Sequence, residues 1–503
     1  MFGTSVEVPL WLALVAGGLA AWALLDRLLL PSARWYVRSR AAKVLAEVRE
    51  RLKIQPRPFQ QIRRQVLIDR LVFDDKVQQS AKAFANERGM PHEVALDQVQ
   101  RYAREIVPAF NAFVYFRVGY WIGKRLSQAL YRVRIGYTDD AGLEAIAETA
   151  TVVFVMNHRS NMDYIVASYL AAERAALSYA VGEWARVIGL QQLIRAMGAY
   201  FVRRNSKDDL YRRVLERYIA MATEAGVTQA VYPEGGLTRD GALREPRFGV
   251  LDYMLRGYHP EGERDLVFVP LGLNYDRVLE DRTQLRAGDA AAARTGGLRA
   301  AWNTLAFVAG QVGLLLRSRW HRFGYACVNF GTPVSVRAWL ASRGVAIDGL
   351  DKSARQAEVA ALGRHLMGEV GRLVPVLPVP LVATVVLEDA ARARSEFEIK
   401  AEVATLVAQL QAGGARIYVP RSDWDYAVSA GLRMLVQRHL VDEEAGLYRA
   451  RAAEEALLRY YANSIRHLAR MAPASKPLEA EAADTSPAAT AAEGAAARAV
   501  LVR

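Results

Sequence analysis

The stretch 151-TVVFVMNHRSNMDY-164 decides how the chain reads. An apolar run, Val152 to Met156, stops abruptly at Asn157, His158, Arg159, Ser160 and Asn161. Asp163 then opens a second apolar segment, Ile165 to Leu170. This is the pattern of a buried strand, a tight polar turn and a helix start. It sets His158 and Asp163 at a strand's C-terminal end, where α/β sheets gather ligands and catalytic groups. A histidine oriented by a nearby carboxylate is a candidate general base. The spacing alone proves little, because His92 and Asp97 share it. That second pair lies in a helical pattern, where five residues separate two side chains by ~140°. A turn, in contrast, lets the chain fold back.

Three further apolar runs end in polar clusters. Gly198–Val202 leads into Arg203 and Arg204, whose forks suit phosphate oxygens and equally suit a solvated strand end. Gln229–Tyr232 leads into Pro233, Glu234, Gly235, Gly236, Leu237, Thr238, Arg239, Asp240 and Gly241. Glycines there allow positive φ, and their N–H groups can face an anion or an oxyanion. Glu234 either binds a substrate hydroxyl or braces the loop. The Gly-Lys-Ser/Thr ending of a phosphate-binding P-loop is absent. Leu266–Leu273 leads into Asn274, Tyr275, Asp276 and Arg277, with Pro270 at an edge or bend and Asp276–Arg277 readable as a surface pair. The single cysteine, Cys327, lies in an apolar run and reads as a buried structural thiol. No Cys-based metal cluster is possible, and no metal site is expected.

These runs alternate with helical patterns, so residues 141–388 are expected to form an α/β domain with a mixed sheet flanked by helices. Residues 1–30 are expected to be a membrane anchor. Val8–Leu25 is uncharged, and Arg34, Arg38, Arg40 and Lys43 follow it. By the positive-inside rule the bulk of the protein then faces the cytoplasm. Residues 31–140 are expected to be an α-helical domain, residues 389–471 a C-terminal helical accessory region and residues 472–503 a disordered tail. Trp302–Leu316 reads as a core helix. Leu373–Leu387 reads as extended, because Pro375, Pro378 and Pro380 interrupt it. The net charge of +13 calls for an anionic partner such as an anionic phospholipid membrane. The basic residues are dispersed and no nucleic-acid-binding signature is present, so no nucleic acid is expected.

Taken in order, the four strand ends resemble the four motif blocks of the glycerolipid acyltransferases. Asn157-His158-x4-Asp163 is similar to block one and Gly198–Arg204 to block two. Tyr232-Pro233-Glu234-Gly235 is similar to block three and Val269-Pro270 with its successors to block four. His158-Arg159-Ser160-Asn161-Met162-Asp163-Tyr164, the double arginine and Glu-Gly-Gly resemble most the glycerol-3-phosphate acyltransferases of the bacterial membrane-bound type. Val328–Val334 and Leu457–Asn463 agree. The resemblance covers roughly residues 65 to 470. It implies acyl transfer from acyl-CoA or acyl carrier protein to the 1-hydroxyl of glycerol 3-phosphate, with no cofactor, at the cytoplasmic face of the cell inner membrane. It implies His158 as base and Asp163 as its orienter. Arg159, Ser160, Arg203, Arg204, Glu234, Gly235, Gly236 and Arg239 would be the substrate-binding set. The sequence departs from the usual third block, Glu-Gly-x-Arg-Ser-Arg, at Leu237 and Thr238. That departure leaves lysophosphatidate and dihydroxyacetone phosphate open as acceptors. A non-catalytic, membrane-tethered lipid-binding scaffold is the reading from another class. Oligomeric state is not legible.

Overall fold

The computed structural model describes residues 57–171, 177–181, 190–203, 206, 208–288 and 323–471. The expected anchor at 1–30, the segment 303–316, the tail at 472–503 and Arg204 lie outside the described residues. Among the described residues no helix is long and apolar enough to cross a membrane.

The apolar runs assemble into one eight-stranded sheet. Its strands are β1 (Arg132–Thr138), β2 (Thr151–Met156), β3 (Ser178–Val181), β4 (Tyr200–Phe201), β5 (Gln229–Val231), β6 (Leu266–Tyr275), β7 (Tyr325–Phe330) and β8 (Val334–Ser335). The order is β1-β7-β6-β2-β5-β3-β4, with β8 beside β6. From β6 to β4 neighbouring strands are parallel. β7 runs antiparallel to β6 and carries β1 parallel to itself. The sheet is therefore mixed. All ten residues of β6 are buried, as expected of a central strand covered on both faces. Because β6, β2 and β5 are adjacent and parallel, the loops leaving their C-terminal ends open side by side.

Helices cover both faces. On one face Arg64–Val72, Asp75–Arg88, His92–Ile106 and Asp209–Glu224 share a core with Val153, Val155 and Phe268 of the sheet. The N-terminal helices thus form a layer of the same packed unit as the sheet. Local chemistry sets their limits. Asp74 accepts from the N–H groups of Lys76 and Val77 and starts the second of these helices, and Gly89 at φ 60° ends it. On the other face Phe154, Met156 and Val269 pack with Met162–Ala171, Pro378–Glu388, Glu396–Ala412, Trp424–Gln437 and the C-terminal helix Glu455–Met471.

Three expectations need correcting. Leu373–Leu387 is not extended: Pro378–Glu388 is a buried helix. Its prolines occupy the first turn, where no intrahelical N–H bond is lost, and the N–H of Val379 is capped by the Asp276 carboxylate at 3.1 Å. The helical segment expected at 31–140 contains β1, an edge strand within that range. The C-terminal region contains a small antiparallel sheet, β9 (Arg394–Ser395), β10 (Val441–Glu444) and β11 (Leu447–Ala450), besides its helices. Cys327 is buried, as its setting suggested, and burial pushes its thiol up to about 12.

The long helix Lys352–Leu373 ends against the middle of β6. A Cβ on Gly272 would lie 2.2 Å from the carbonyl carbon of Leu373, and both sides of that contact are backbone. Gly272→Ala is expected to destabilise the fold by roughly 1–3 kcal/mol or more through overpacking. Urea denaturation checks this, and an unshifted midpoint would contradict the close crossing.

Candidate active site

The turn after β2 is fixed by one carboxylate. Asp163 Oδ2 accepts from His158 Nδ1 at 2.9 Å, from the Arg159 N–H at 2.7 Å and from the Ser160 N–H at 3.0 Å. Its Oδ1 accepts from the Tyr275 hydroxyl at 2.6 Å. His158 and Asp163 are both buried. With Nδ1–H donated to the carboxylate, Nε2 carries the lone pair. Tyr164 Oη sits 3.4 Å from that nitrogen and donates to the Ala180 carbonyl at 3.2 Å. The imidazole lies against the Tyr232 ring, with centroids 4.2 Å apart. An imidazole oriented through Nδ1 by a carboxylate, with Nε2 facing a phenol among aromatic walls, has the form of a general base. The expected pairing of His158 with Asp163 is present.

Neighbouring strand ends hold the turn. Asn157 extends the β2–β6 pairing with its side chain: Nδ2 donates to the Leu273 carbonyl at 2.9 Å, and Oδ1 accepts from the Leu273 N–H at 2.8 Å. The loop after β5 grips the His158 backbone twice. The His158 N–H donates to Glu234 Oε1 at 3.0 Å, and the Thr238 N–H donates to the His158 carbonyl at 3.1 Å. Glu234 Oε2 also accepts from the Arg244 N–H at 3.3 Å. Of the two roles expected for Glu234, the geometry selects bracing.

Other expected contacts are also taken by protein groups. The Gly235 N–H closes a turn onto the Tyr232 carbonyl at 3.0 Å, with φ at 67°, so it is not an oxyanion donor here. The Gly236 N–H makes no hydrogen bond among the described residues and remains the donor of that pair. Ser160 Oγ donates to Glu280 Oε2 at 2.7 Å and accepts from the Met162 N–H at 3.1 Å. Arg203 forms a two-pronged pair with Glu105, at 2.9 and 2.5 Å, between the rings of Tyr102 and Tyr211, each 5.0 Å away. It follows β4, which lies three strand spacings or ~14 Å from β2, so it does not reach the His158 turn. Arg239 is exposed on the loop.

Arg159 behaves differently. Its side chain is buried, Nη1 donates to the Gly241 carbonyl at 2.6 Å, and the guanidinium lies 5.4 Å from the Tyr460 ring. Nε and Nη2 have no hydrogen-bond acceptor. The C-terminal helix secures this corner. Tyr460 Oη donates to Gln284 Oε1 at 2.7 Å, and Gln284 Nε2 donates to the Arg159 carbonyl at 3.1 Å. Asn463 Nδ2 donates to the Asp240 carbonyl at 2.9 Å. Gly241, at φ 85°, is so close that a Cβ would sit 1.8 Å from the Tyr460 carbonyl oxygen.

Sequence reasoning missed Glu280. It follows β6 in an unremarkable Val-Leu-Glu-Asp run, and its partners Ser160 and Asn161 are remote in sequence. Asp276, read as half of a surface pair, is buried, accepts from the N–H groups of Tyr325 and Val379, and is raised by burial to about 6.

Comparison with known proteins returns two family models over separate stretches of the chain. A family model described as Acyltransferase matches residues 138–274. A second, described as glycerol-3-phosphate acyltransferase C-terminal region, matches residues 311–474. Relatives named glycerol-3-phosphate acyltransferase include one from Xanthomonas axonopodis pv. citri, 25% identical over 68% of this chain and 38% of the relative. Another, from Pseudomonas putida, is 27% identical over 66% of this chain and 40% of the relative. The chain is similar to these relatives over about two thirds of its own length. It spans about two fifths of the length of these relatives. A solved 1-acyl-sn-glycerophosphate acyltransferase from Thermotoga maritima is matched at 14% identity over 50% of this chain and 78% of that one, with a TM-score of 0.29.

Burial raises Glu234 from 4.5 to about 7, and the N–H donors of His158 and Arg244 oppose that rise. Burial raises Glu280 equally, to about 7, against the Ser160 hydroxyl bond. Between those values the folded chain keeps protons that the unfolded chain has released, so stability falls as pH rises from 4.5 to about 7. Glu280→Gln is expected to flatten that part of the stability–pH profile, measured by urea denaturation across the window. An unchanged slope would contradict the assignment.

Proposed function

We propose that this chain transfers a fatty acyl group from a thioester to the 1-hydroxyl of glycerol 3-phosphate, giving lysophosphatidate, the first step of glycerophospholipid synthesis. The observation that carries the reading is the His158–Asp163 pair, with the turn braced from β5 and β6. His158 Nε2 takes the hydroxyl proton as the oxygen attacks the thioester carbonyl. The C–S bond breaks, and the thiol leaves with the proton returned from the imidazolium. Asp163 holds the tautomer and stabilises the imidazolium while it lasts. The unengaged Gly236 N–H supplies one oxyanion donor. No cofactor enters this scheme. The donor is acyl-CoA or acyl carrier protein.

The acceptor phosphate is assigned to Arg159, whose Nε and Nη2 are buried without acceptors, with Arg239 joining from the loop. An unpaired buried guanidinium is costly, and a phosphate would meet both free donors in the bidentate manner that suits arginine. The reaction is proposed for the cytoplasmic face of the cell inner membrane, with residues 1–30 as anchor, beside an anionic phospholipid surface. Leu237, in place of the arginine usual in block three, favours a second reading. In it the acceptor is lysophosphatidate or dihydroxyacetone phosphate.

The purified full chain, given glycerol 3-phosphate and a radiolabelled acyl thioester, is expected to form labelled lysophosphatidate. His158→Ala is expected to lower the rate by about 10²–10⁴ with an unchanged circular dichroism spectrum. Near-normal turnover by that variant would rule out the mechanism, and lipid binding without transfer by the native chain would point to a scaffold. Arg159→Lys keeps the charge and loses the fork. It is expected to raise the acceptor KM more than it lowers kcat. A KM left unchanged would remove Arg159 from the phosphate site.

A further inference from the structure

The helix Tyr120–Leu130 has its amphipathicity reversed. Its buried positions are Gly123, Ser127 and Leu130, continuing Gly119 of the π-helical turn Val114–Gly119. A Cβ on Gly123 would lie 3.4 Å from Ile165, so the small-residue face rests on the helix Met162–Ala171, which leaves the catalytic turn. The outward face carries the large apolar residues. Trp121 is 59% exposed, Ile122 39% and Leu126 38%. A helix on a water-facing surface puts such side chains inward.

Charge follows the same face. Arg117 and Arg125 are exposed and Lys124 is half-buried. The Arg125 guanidinium lies 5.8 Å from the Trp121 ring. Among the described residues none of the three cations has an ion-pair partner. Between Glu105 and Asp139 the chain contains no acidic residue, while Arg117, Lys124, Arg125, Arg132 and Arg134 fall in that interval. An exposed tryptophan with branched apolar neighbours and unpaired cations is the composition that lies in a lipid headgroup layer, rings at the headgroup level and cations on phosphates. Eleven residues span only ~16 Å, so the helix lies in the interface and does not cross it.

We propose that the outward face of Tyr120–Leu130, through Trp121, Ile122 and Leu126 with Arg117, Lys124 and Arg125, seats on an anionic phospholipid surface. The inference does not depend on the acyl acceptor or on the anchor at 1–30. It gives the folded unit its own membrane contact, one helix away from the His158 turn.

The full chain with Ile122→Cys, labelled with an environment-sensitive fluorophore, tests the face. The one native thiol, Cys327, is buried. Phe397→Cys, at a position 80% exposed, is the control. Vesicles are phosphatidylcholine alone or mixed with phosphatidylglycerol, with and without brominated acyl chains, and flotation reads attachment of the whole chain. The label at 122 is expected to brighten several-fold and to be quenched by brominated lipid, more in the mixed vesicles, while the label at 397 does neither. Arg117→Gln, Lys124→Gln and Arg125→Gln together are expected to abolish the dependence on phosphatidylglycerol. A chain that floats with the label at 122 still in water overturns the proposal, as does a chain that does not float. A label shielded but not quenched means that protein covers the face and also overturns it.

Discussion

One carboxylate organises the centre of this molecule. Asp163 is buried and accepts from an imidazole, two backbone N–H groups and a phenol. A buried carboxylate is tolerated when its oxygens are satisfied, and here the donors that satisfy it are also the groups to be positioned. Two of its bonds shape the turn after β2, one sets the imidazole tautomer, and one ties the turn to β6 through Tyr275. Because β6, β2 and β5 are adjacent and parallel, the turn is braced on both sides. Asn157 does this toward β6, and Glu234 and Thr238 do it toward the loop after β5.

The C-terminal helix is part of the same construction. Asp281, just past Glu280, receives Arg438 at 2.5 Å and the Tyr461 hydroxyl. Tyr460 reaches Gln284 and, through its ring, Arg159. The chain thus returns after nearly two hundred residues to close the back of the turn and the Gly-rich loop. That closure explains why Gly241 has no room for a side chain. It also explains why the stretch Leu457–Asn463 accompanies the four strand-end motifs in one chain.

What the sequence made legible was what is local. β2, β5 and β6 each announce themselves as apolar runs that stop at polar residues, and His158 and Asp163 share one turn. What it hid depends on distance. Glu280 lies 120 residues from Ser160 and Glu105 lies 98 residues from Arg203, so neither partnership leaves a local trace. β1 alternates Arg132 and Arg134 with Val133 and Ile135 at the sheet's edge, but it is short and directly follows the helix Tyr120–Leu130, so it reads as the end of a helical segment. The helix Pro378–Glu388 was concealed by prolines that break a helix interior but suit its first turn. The paired arginines looked like a phosphate site because strand order, which puts β4 at the sheet's far edge, cannot be read from spacing.

The histidine turn is thus where the bracing loops, the C-terminal helix and the buried Arg159 nitrogens without acceptors come together. The claim on which the rest stands is that Asp163 fixes His158 as a base. The most direct measurement is the rate of acyl transfer to glycerol 3-phosphate by Asp163→Asn, set beside its melting temperature. An amide keeps the shape of the carboxylate but cannot stabilise the imidazolium. The account requires a loss of at least about 10²-fold in a chain that still folds. Transfer within about tenfold of the native rate by the folded variant would contradict it.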